Sequence, residues 1–364
     1  MRVDLSDEQE FLREAVSGVL AREATTSRVR EWADARDSTA ADVLATRQGW
    51  TGIGLAEERG GQGGGIVELA IVAEELGRTA APWDRLLGSA LALQLLGASD
   101  DGAAAELAGA VAEGERPVVL CADGRRIPAP WPETVLDGDR LTLTAEYVPG
   151  AVGAELVVAV SHGDAVRLLA VHGDDIEVAA RPLVDRTRAL ARVELDGASP
   201  RELGTASVEA YERMAGAAAV LVAADALGAA ARLLEMTVEY VKDRRQFGVP
   251  VGTFQAVKHA AAMMLVEVEG ARSAVRYGAW AVDSDAEGAR SWASIAKVGS
   301  CGAAPHVADR ALFLHGAIGY TWEHDLQFCF KRCKSDEWLF GSPDAHRDRI
   351  AGGLELTRDP IPAE

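Results

Sequence analysis

The sequence predicts a multidomain protein of α and β structure: an all-helical domain over 1–115, a small β-barrel-like domain over 116–200 and a four-helix bundle over 201–364. Three observations predict it. At 364 residues the chain is long enough for two or three domains that share buried surface. Between about Pro117 and Gly197 its texture changes to Val, Leu, Asp-Gly and Pro in short runs that suit strands. From about Ser207 onward, Val220, Ala224, Leu227, Ala231, Leu234, Val238 and Val241 alternate steps of four and three, and Val257, Ala261, Met264, Val268, Ala271, Val275 and Gly278 repeat the pattern. Two such stripes require partner helices, which the 291–314 stretch and a terminal helix after Asp344 supply.

Taken in order, Ser6 with Gln9 forms a capping box, and Phe11, Val16, Val19 and Leu20 follow at roughly helical spacing. The 66–76 stretch is helical and stops at Gly77 ahead of Pro82. The glycines at 60, 61, 63, 64 and 65 could cradle a phosphate, but no preceding strand or Lys-Ser/Thr sequel accompanies them, so they read as an interhelical loop. In the middle region Asp137-Gly138-Asp139 is a hairpin turn, and 156–160 and 167–171 are buried strands. Pro305 predicts a kink or break in the third bundle helix.

Lys+Arg 37 against Asp+Glu 56 leaves a formal charge of -19, which argues against binding a nucleic-acid backbone. The chain opens without a charged-then-apolar leader and carries no uninterrupted apolar run near the ~20 residues of a membrane span, so a cytoplasmic protein with no membrane partner is expected. Four cysteines without paired short spacings do not describe a disulfide framework. Cys329 and Cys333 with His324 make a weak zinc set, and packing is the better reading for both thiols.

The most informative stretch is Arg244-Arg245-Gln246-Phe247-Gly248-Val249-Pro250 leading into Phe254-Gln255. It puts guanidinium groups, aromatic rings and an amide in one turn between helices, which suits an anionic cofactor with a planar head. Alone, the arginines serve equally well as a solvated helix end. Near the other end, 314–323 reads Leu-His-Gly-Ala-Ile-Gly-Tyr-Thr-Trp-Glu, with Gly316 and Gly319 allowing close backbone approach. His315 beside an apolar run is, by type, more often a hydrogen-bonded packing residue than a catalyst.

These motifs, with Gly49-Trp50-Thr51-Gly52-Ile53 and Glu74-Glu75-Leu76-Gly77-Arg78, resemble the acyl-CoA dehydrogenase family over nearly the whole chain, with Ala56 standing where the family usually has proline. The resemblance implies FAD as cofactor, an acyl-CoA substrate and electron-transfer flavoprotein as acceptor. It assigns Arg244, Phe247, Phe254 and Gln255 to FAD bound mainly by a neighbouring subunit, and His315, Gly316 and Gly319 to the adenosine end. Ala317 and Phe313 depart from the family there. So does Val118 to Gly124, which replaces the loop that grips the flavin ring.

The base that takes the α proton is a glutamate in the family. Its usual place falls on Phe340, and its alternative place falls on Ala218. Asp336 or Glu337 could substitute from one turn earlier, although solvent-facing charge is the commoner fate. The flavin reaction could be a different one. A homologous partner subunit could carry both base and flavin loop, as in the two-gene dehydrogenases of steroid side-chain breakdown. The missing base and the missing flavin loop together favour the last, a subunit of a heterotetramer without a catalytic residue of its own. A self-sufficient dehydrogenase, oxidase or monooxygenase with an atypical base, and a flavin-free scaffold, are the rival expectations.

Overall fold

The computed structural model describes residues 4–173 and 176–354. Six helices come first: α1 (Asp7–Glu23), α2 (Thr26–Ala35), α3 (Thr39–Arg47), α4 (Ile66–Thr79), α5 (Asp84–Gly97) and α6 (Gly102–Ala112). The capping box at α1 forms as expected, Gln9 N–H donating to Ser6 Oγ at 3.2 Å and Ser6 N–H to Gln9 Oε1 at 3.0 Å. Val16 and Leu20 are buried, but Phe11 is 73% exposed, because its position falls on the solvent face of α1. The 60–65 glycines do form an interhelical loop, and Asp283 from a later helix caps α4 by accepting from Ile66 N–H at 2.9 Å.

Gly77 does not end its helix, which runs on to Thr79. The glycine serves packing instead. A Cβ on Gly77 would lie 2.1 Å from the Asp225 carbonyl oxygen, and one on Gly228 would lie 1.9 Å from that of Glu74, so α4 and the long helix α7 (Val208–Asp243) meet backbone to backbone.

Two four-stranded sheets follow. One is ordered β1 (Val118–Leu120), β4 (Glu155–His162), β5 (Ala165–Val171), β8 (Arg201–Ser207), and the other β2 (Leu136–Asp137), β3 (Arg140–Pro149), β7 (Leu190–Ala198), β6 (Ile176–Ala180). The Asp137–Arg140 hairpin forms at the expected place, with Gly138 at φ 60°. Along β4 and β5, Val157, Ala159, Val166, Leu168 and Ala170 join the helical core. Alternate residues Val158, Val160, Leu169 and Val171 join a second core between the sheets. Both faces are therefore covered, which is why these strands read as continuous apolar runs.

The bundle consists of α7, α8 (Gln255–Asp283) and α9 (Ala289–His315), closed by the shorter α10 (Leu326–Asp336) and α11 (Pro343–Gly353). The α7 window long and apolar enough to cross a bilayer is wholly buried inside the protein, as befits a core helix. Helix α9 passes through Pro305 without the expected break. Packing against α7, α8, α10 and α11 keeps it one continuous helix and outweighs the missing N–H.

Candidate functional site

Helix α7 ends at Asp243 with Arg244 as its cap, and the chain makes a two-residue hairpin in which Arg245–Gln246 pairs with Val249–Pro250. Phe247 and Gly248 at its tip have φ 52° and 82°, a turn requiring positive φ at both positions. Glycine adopts this freely, whereas phenylalanine is strained there. The Phe247 ring is 91% exposed and meets the Phe254 ring edge-on at 6.3 Å. Val251 N–H donates to Arg244 O at 2.7 Å, closing the turn. Gln255 opens α8 and, like Arg244, is exposed. An outward guanidinium, an outward ring and an outward amide fit a phosphate, a flat base and a ribose approaching from outside the chain.

The end of α9 lies beside this turn. Gly316 takes φ 65° and ψ -145°, a combination reserved for glycine, while a Cβ on Gly319 would press on Leu312 and His315 at 3.1 Å. The buried His315 bonds through Nδ1 to Ala311 O at 2.8 Å, stacks on Tyr240 at 4.5 Å and meets the edge of His324 at 5.0 Å. Burial, opposed by the Ala311 bond, holds its pKa below the ordinary imidazole value. Arg244, Tyr240, His315 and His324 line a cleft of about 480 Å³ that also takes in Arg232, Met236, Glu239 and Asp243. Two of the expected residues, Arg244 and His315, are thus brought together. Phe247, Phe254 and Gln255 stand outside the cleft on the hairpin and the start of α8.

The turn at 336–341 is built oppositely. Phe340 is 0% exposed with φ 58°, and its N–H donates to Gly124 O at 2.7 Å. Its carbonyl bonds to His346 Nε2 at 3.1 Å, and His346 Nδ1 lies 3.1 Å from Ser294 Oγ. A carbonyl only accepts, so Nε2 carries the hydrogen and Nδ1 receives the serine's. This imidazole is neutral, burial having pushed its pKa down to about 4. Lys297 Nζ donates to Asp336 O at 2.5 Å and Leu339 O at 2.7 Å. A Cβ on Gly341 would come within 2.8 Å of Ile127, and one on Gly124 within 2.4 Å of the Tyr147 carbonyl oxygen. The loop around Asp123, which itself clamps Arg125 at 2.6 Å, therefore docks directly on the Phe340 turn. Ala218 is likewise 0% exposed.

Asp336, expected to face solvent or to reach the reacting atoms, does neither. It belongs to a buried group of charges that sequence reasoning missed. Arg188 pairs with Asp84 at 3.0 Å and with Asp225 and Asp336, and Arg332 pairs with Asp185 at 3.1 Å and Asp225 at 3.0 Å. Arg332 also donates to the carbonyls of Ala80 at 3.1 Å and Ala81 at 3.0 Å. The only clues in the sequence were Asp225 and Lys297, each a charge inside an alanine- and valine-rich helical run. Glu337, the other candidate base, is half-buried.

All four cysteines are free and buried, and no metal-binding group of His, Cys, Asp or Glu occurs among the described residues. Burial pushes the Cys329 thiol up to about 12 and raises the Cys333 thiol as well. Both behave as packing residues.

Two family models match the chain: the acyl-CoA dehydrogenase N-terminal domain over 6–113 and the C-terminal domain over 210–355. Acyl-CoA dehydrogenase IpdE2 of Mycolicibacterium smegmatis is 33% identical over 351 residues, covering 95% of this chain and 98% of that protein. Among solved structures, a variant of the Tcur3481-Tcur3483 steroid ACAD superposes with a TM-score of 0.83 at 26% identity, over 95% of this chain and 97% of that one. The ChsE4-ChsE5 complex of Mycobacterium tuberculosis gives the same score at 24% identity, over 98% and 100% of the two chains, a likeness of fold.

Proposed function

The chain belongs to the acyl-CoA dehydrogenase family, whose members are FAD-dependent flavoproteins, and from that membership we propose that it is the subunit without a base in a heteromeric acyl-CoA dehydrogenase. One observation carries the reading. Phe340, the residue at which the family resemblance puts the glutamate, is buried and bonded through its own N–H to Gly124 O at 2.7 Å, so the loop that would cover a flavin ring is spent on closing the chain upon itself. A phenyl ring accepts no proton. Asp336, the carboxyl one turn earlier, is engaged by Arg188 in the buried group, which weighs against an atypical base in this chain.

FAD, when bound, supplies the acceptor for the hydride leaving the β carbon of an acyl thioester. What this chain contributes is orientation from outside: Arg244 holds phosphate, the Phe247 and Phe254 rings offer a flat contact, and Gln255 reaches ribose or adenine edge. His315 lines the adjoining cleft, and Gly316 and Gly319 lie in the turn that follows it. The partner is a homologous subunit that brings the glutamate and the flavin loop, and electrons pass on to an electron-transfer flavoprotein. Likeness to a steroid ACAD favours a steroid-derived acyl-CoA as substrate. Four free, buried cysteines accord with the reducing cytoplasm.

Co-expression with a homologue that carries the glutamate is expected to yield about one FAD per heterodimer, and Arg244→Leu in this chain is expected to strip FAD from the complex. If this chain alone bound a full complement of FAD and oxidised an acyl-CoA, the proposal would be wrong.

A further inference from the structure

Seven charged side chains meet where the N-terminal helices, the sheets and the bundle join. Asp84 comes from α5, Asp185 and Arg188 from the β6–β7 loop, Asp225 from α7, Lys297 from α9, and Arg332 and Asp336 from α10. The most exposed of them, Arg188, is 6% accessible. Three cations face four carboxylates, so the group carries one negative charge too many for a site without water. A proton on one carboxyl removes the excess.

Hydrogen bonding decides which carboxyl takes it. Asp84 receives Arg188 Nη1 on one oxygen and Ala189 N–H at 2.7 Å on the other. Asp185 receives Thr187 on Oδ1 and Arg332 Nε on Oδ2. Asp225 receives Arg332 on Oδ1, and on Oδ2 Trp83 Nε1 at 2.9 Å together with Arg188. Asp336 receives Arg188 on Oδ1, and its Oδ2 has no donor. Of the four, it alone has an oxygen that no N–H or O–H claims.

We propose that Asp336 holds a proton in the folded chain and that the seven charges form a latch across the three layers, released when that proton leaves. The groups facing Asp336 are Asp225 on α7, Lys297 and Cys301 on α9, Asp185 and Arg188 on the loop, and Arg332 and Cys333 on its own helix. Asp84 lies behind Arg188, and His346 on α11 faces Lys297. Burial raises the Asp336 carboxyl to about 8, the charge of Asp225 adding to it and Arg188 opposing. The latch bears on the closed turn directly, since Lys297 Nζ ties the carbonyls of Asp336 and Leu339. Ionisation leaves an uncompensated charge behind that tie and loosens the contact between Phe340 N–H and Gly124 O.

Neither FAD nor a partner subunit enters the test, so its failure is separate from that of the proposed function. A carboxyl with a folded pKa above its ordinary 3.8 binds an extra proton in the native state between the two values, so stability falls as pH rises through that window and levels above about 8. Urea unfolding of the full chain from about pH 7, above the window in which His346 titrates, to about pH 9 is expected to show uptake of about one proton on folding that fades above about 8, and Asp336→Asn is expected to abolish that component. Infrared spectra of the wild-type chain are expected to show a protonated-carboxyl band at neutral pH that titrates away near pH 8. Absence of that band, or an unchanged slope in Asp336→Asn, overturns the proposal. If the variant does not fold, the wild-type band decides alone.

Discussion

The turn over 244–255 and the turn over 336–341 both link bundle helices, and they are built oppositely. In the first, a phenylalanine is held at positive φ so that its ring stands 91% in solvent beside an exposed arginine. In the second, a phenylalanine is also held at positive φ, but its ring is fully buried and both its backbone groups are bonded within the chain. Strain at one place serves an outward surface; at the other it serves closure. On the proposed reading, a chain with a reaction centre of its own would need the reverse arrangement at 336–341, an open turn with a carboxylate.

Phe340→Glu attacks that difference most severely. Deleting a buried ring costs about 3–5 kcal/mol, and the new carboxylate adds the penalty of an unpaired buried charge. Against the roughly 5–15 kcal/mol of a typical domain, the variant is expected to lose most of its cooperative unfolding transition and to gain no dehydrogenase activity on its own. Calorimetry and an acyl-CoA assay read the two halves; a stable, active Phe340→Glu chain erases the contrast. Next in size comes Arg332→Met. It leaves the buried Asp185 and Asp225 each short of a partner, and breaking one side of a buried pair costs about 3–5 kcal/mol. The denaturant midpoint is expected to fall without a change in the exposed hairpin, while an unchanged midpoint denies the cluster its role in joining the layers.

What the sequence made legible tracks how local each signal is. The α7 and α8 stripes, the α1 capping box and the 137–140 hairpin each rest on residues within one element, and the structure forms them. Gly77 was misread because its reason lies in α7, 148 residues on at Asp225. The break that Pro305 allowed for does not occur, because four neighbouring helices pack on α9 and keep it continuous. The 244–255 turn announced itself through a contiguous motif. The closed turn showed only as two missing carboxylates, since its bonds join Gly124, Ser294, Lys297, Phe340 and His346 from distant stretches. The charge cluster was invisible for the same reason, Arg188 and Asp336 lying 148 residues apart.

A smaller effect tests the closed turn from the acid side. His346 is neutral in the fold, with a pKa of about 4 against an ordinary 6.5, so the native state binds fewer protons than the unfolded chain between those values. Its contribution is present above 6.5 and is lost as pH falls toward 4, on the order of 3 kcal/mol in all. His346→Gln keeps an amide donor for the Phe340 carbonyl and removes the titration. Its urea midpoint is expected to gain less than the wild type's, or to fall, as pH rises across that window, and equal slopes remove His346 from the account.

The smallest expected change in stability sharpens the comparison most. Phe247→Gly relieves the left-handed strain, worth about 1–2 kcal/mol, while a more flexible unfolded chain gives part of it back. Because the ring is 91% exposed, little burial is lost, and the chain is expected to be more stable by about 0.5–1 kcal/mol. FAD retained by the complex with the partner is expected to fall nonetheless, because the flat outward surface has gone. A substitution that steadies the chain and weakens the complex identifies the strained conformation as kept for something outside this polypeptide. If FAD content holds while stability rises, Phe247 has no such outward use, and the two turns differ only in exposure.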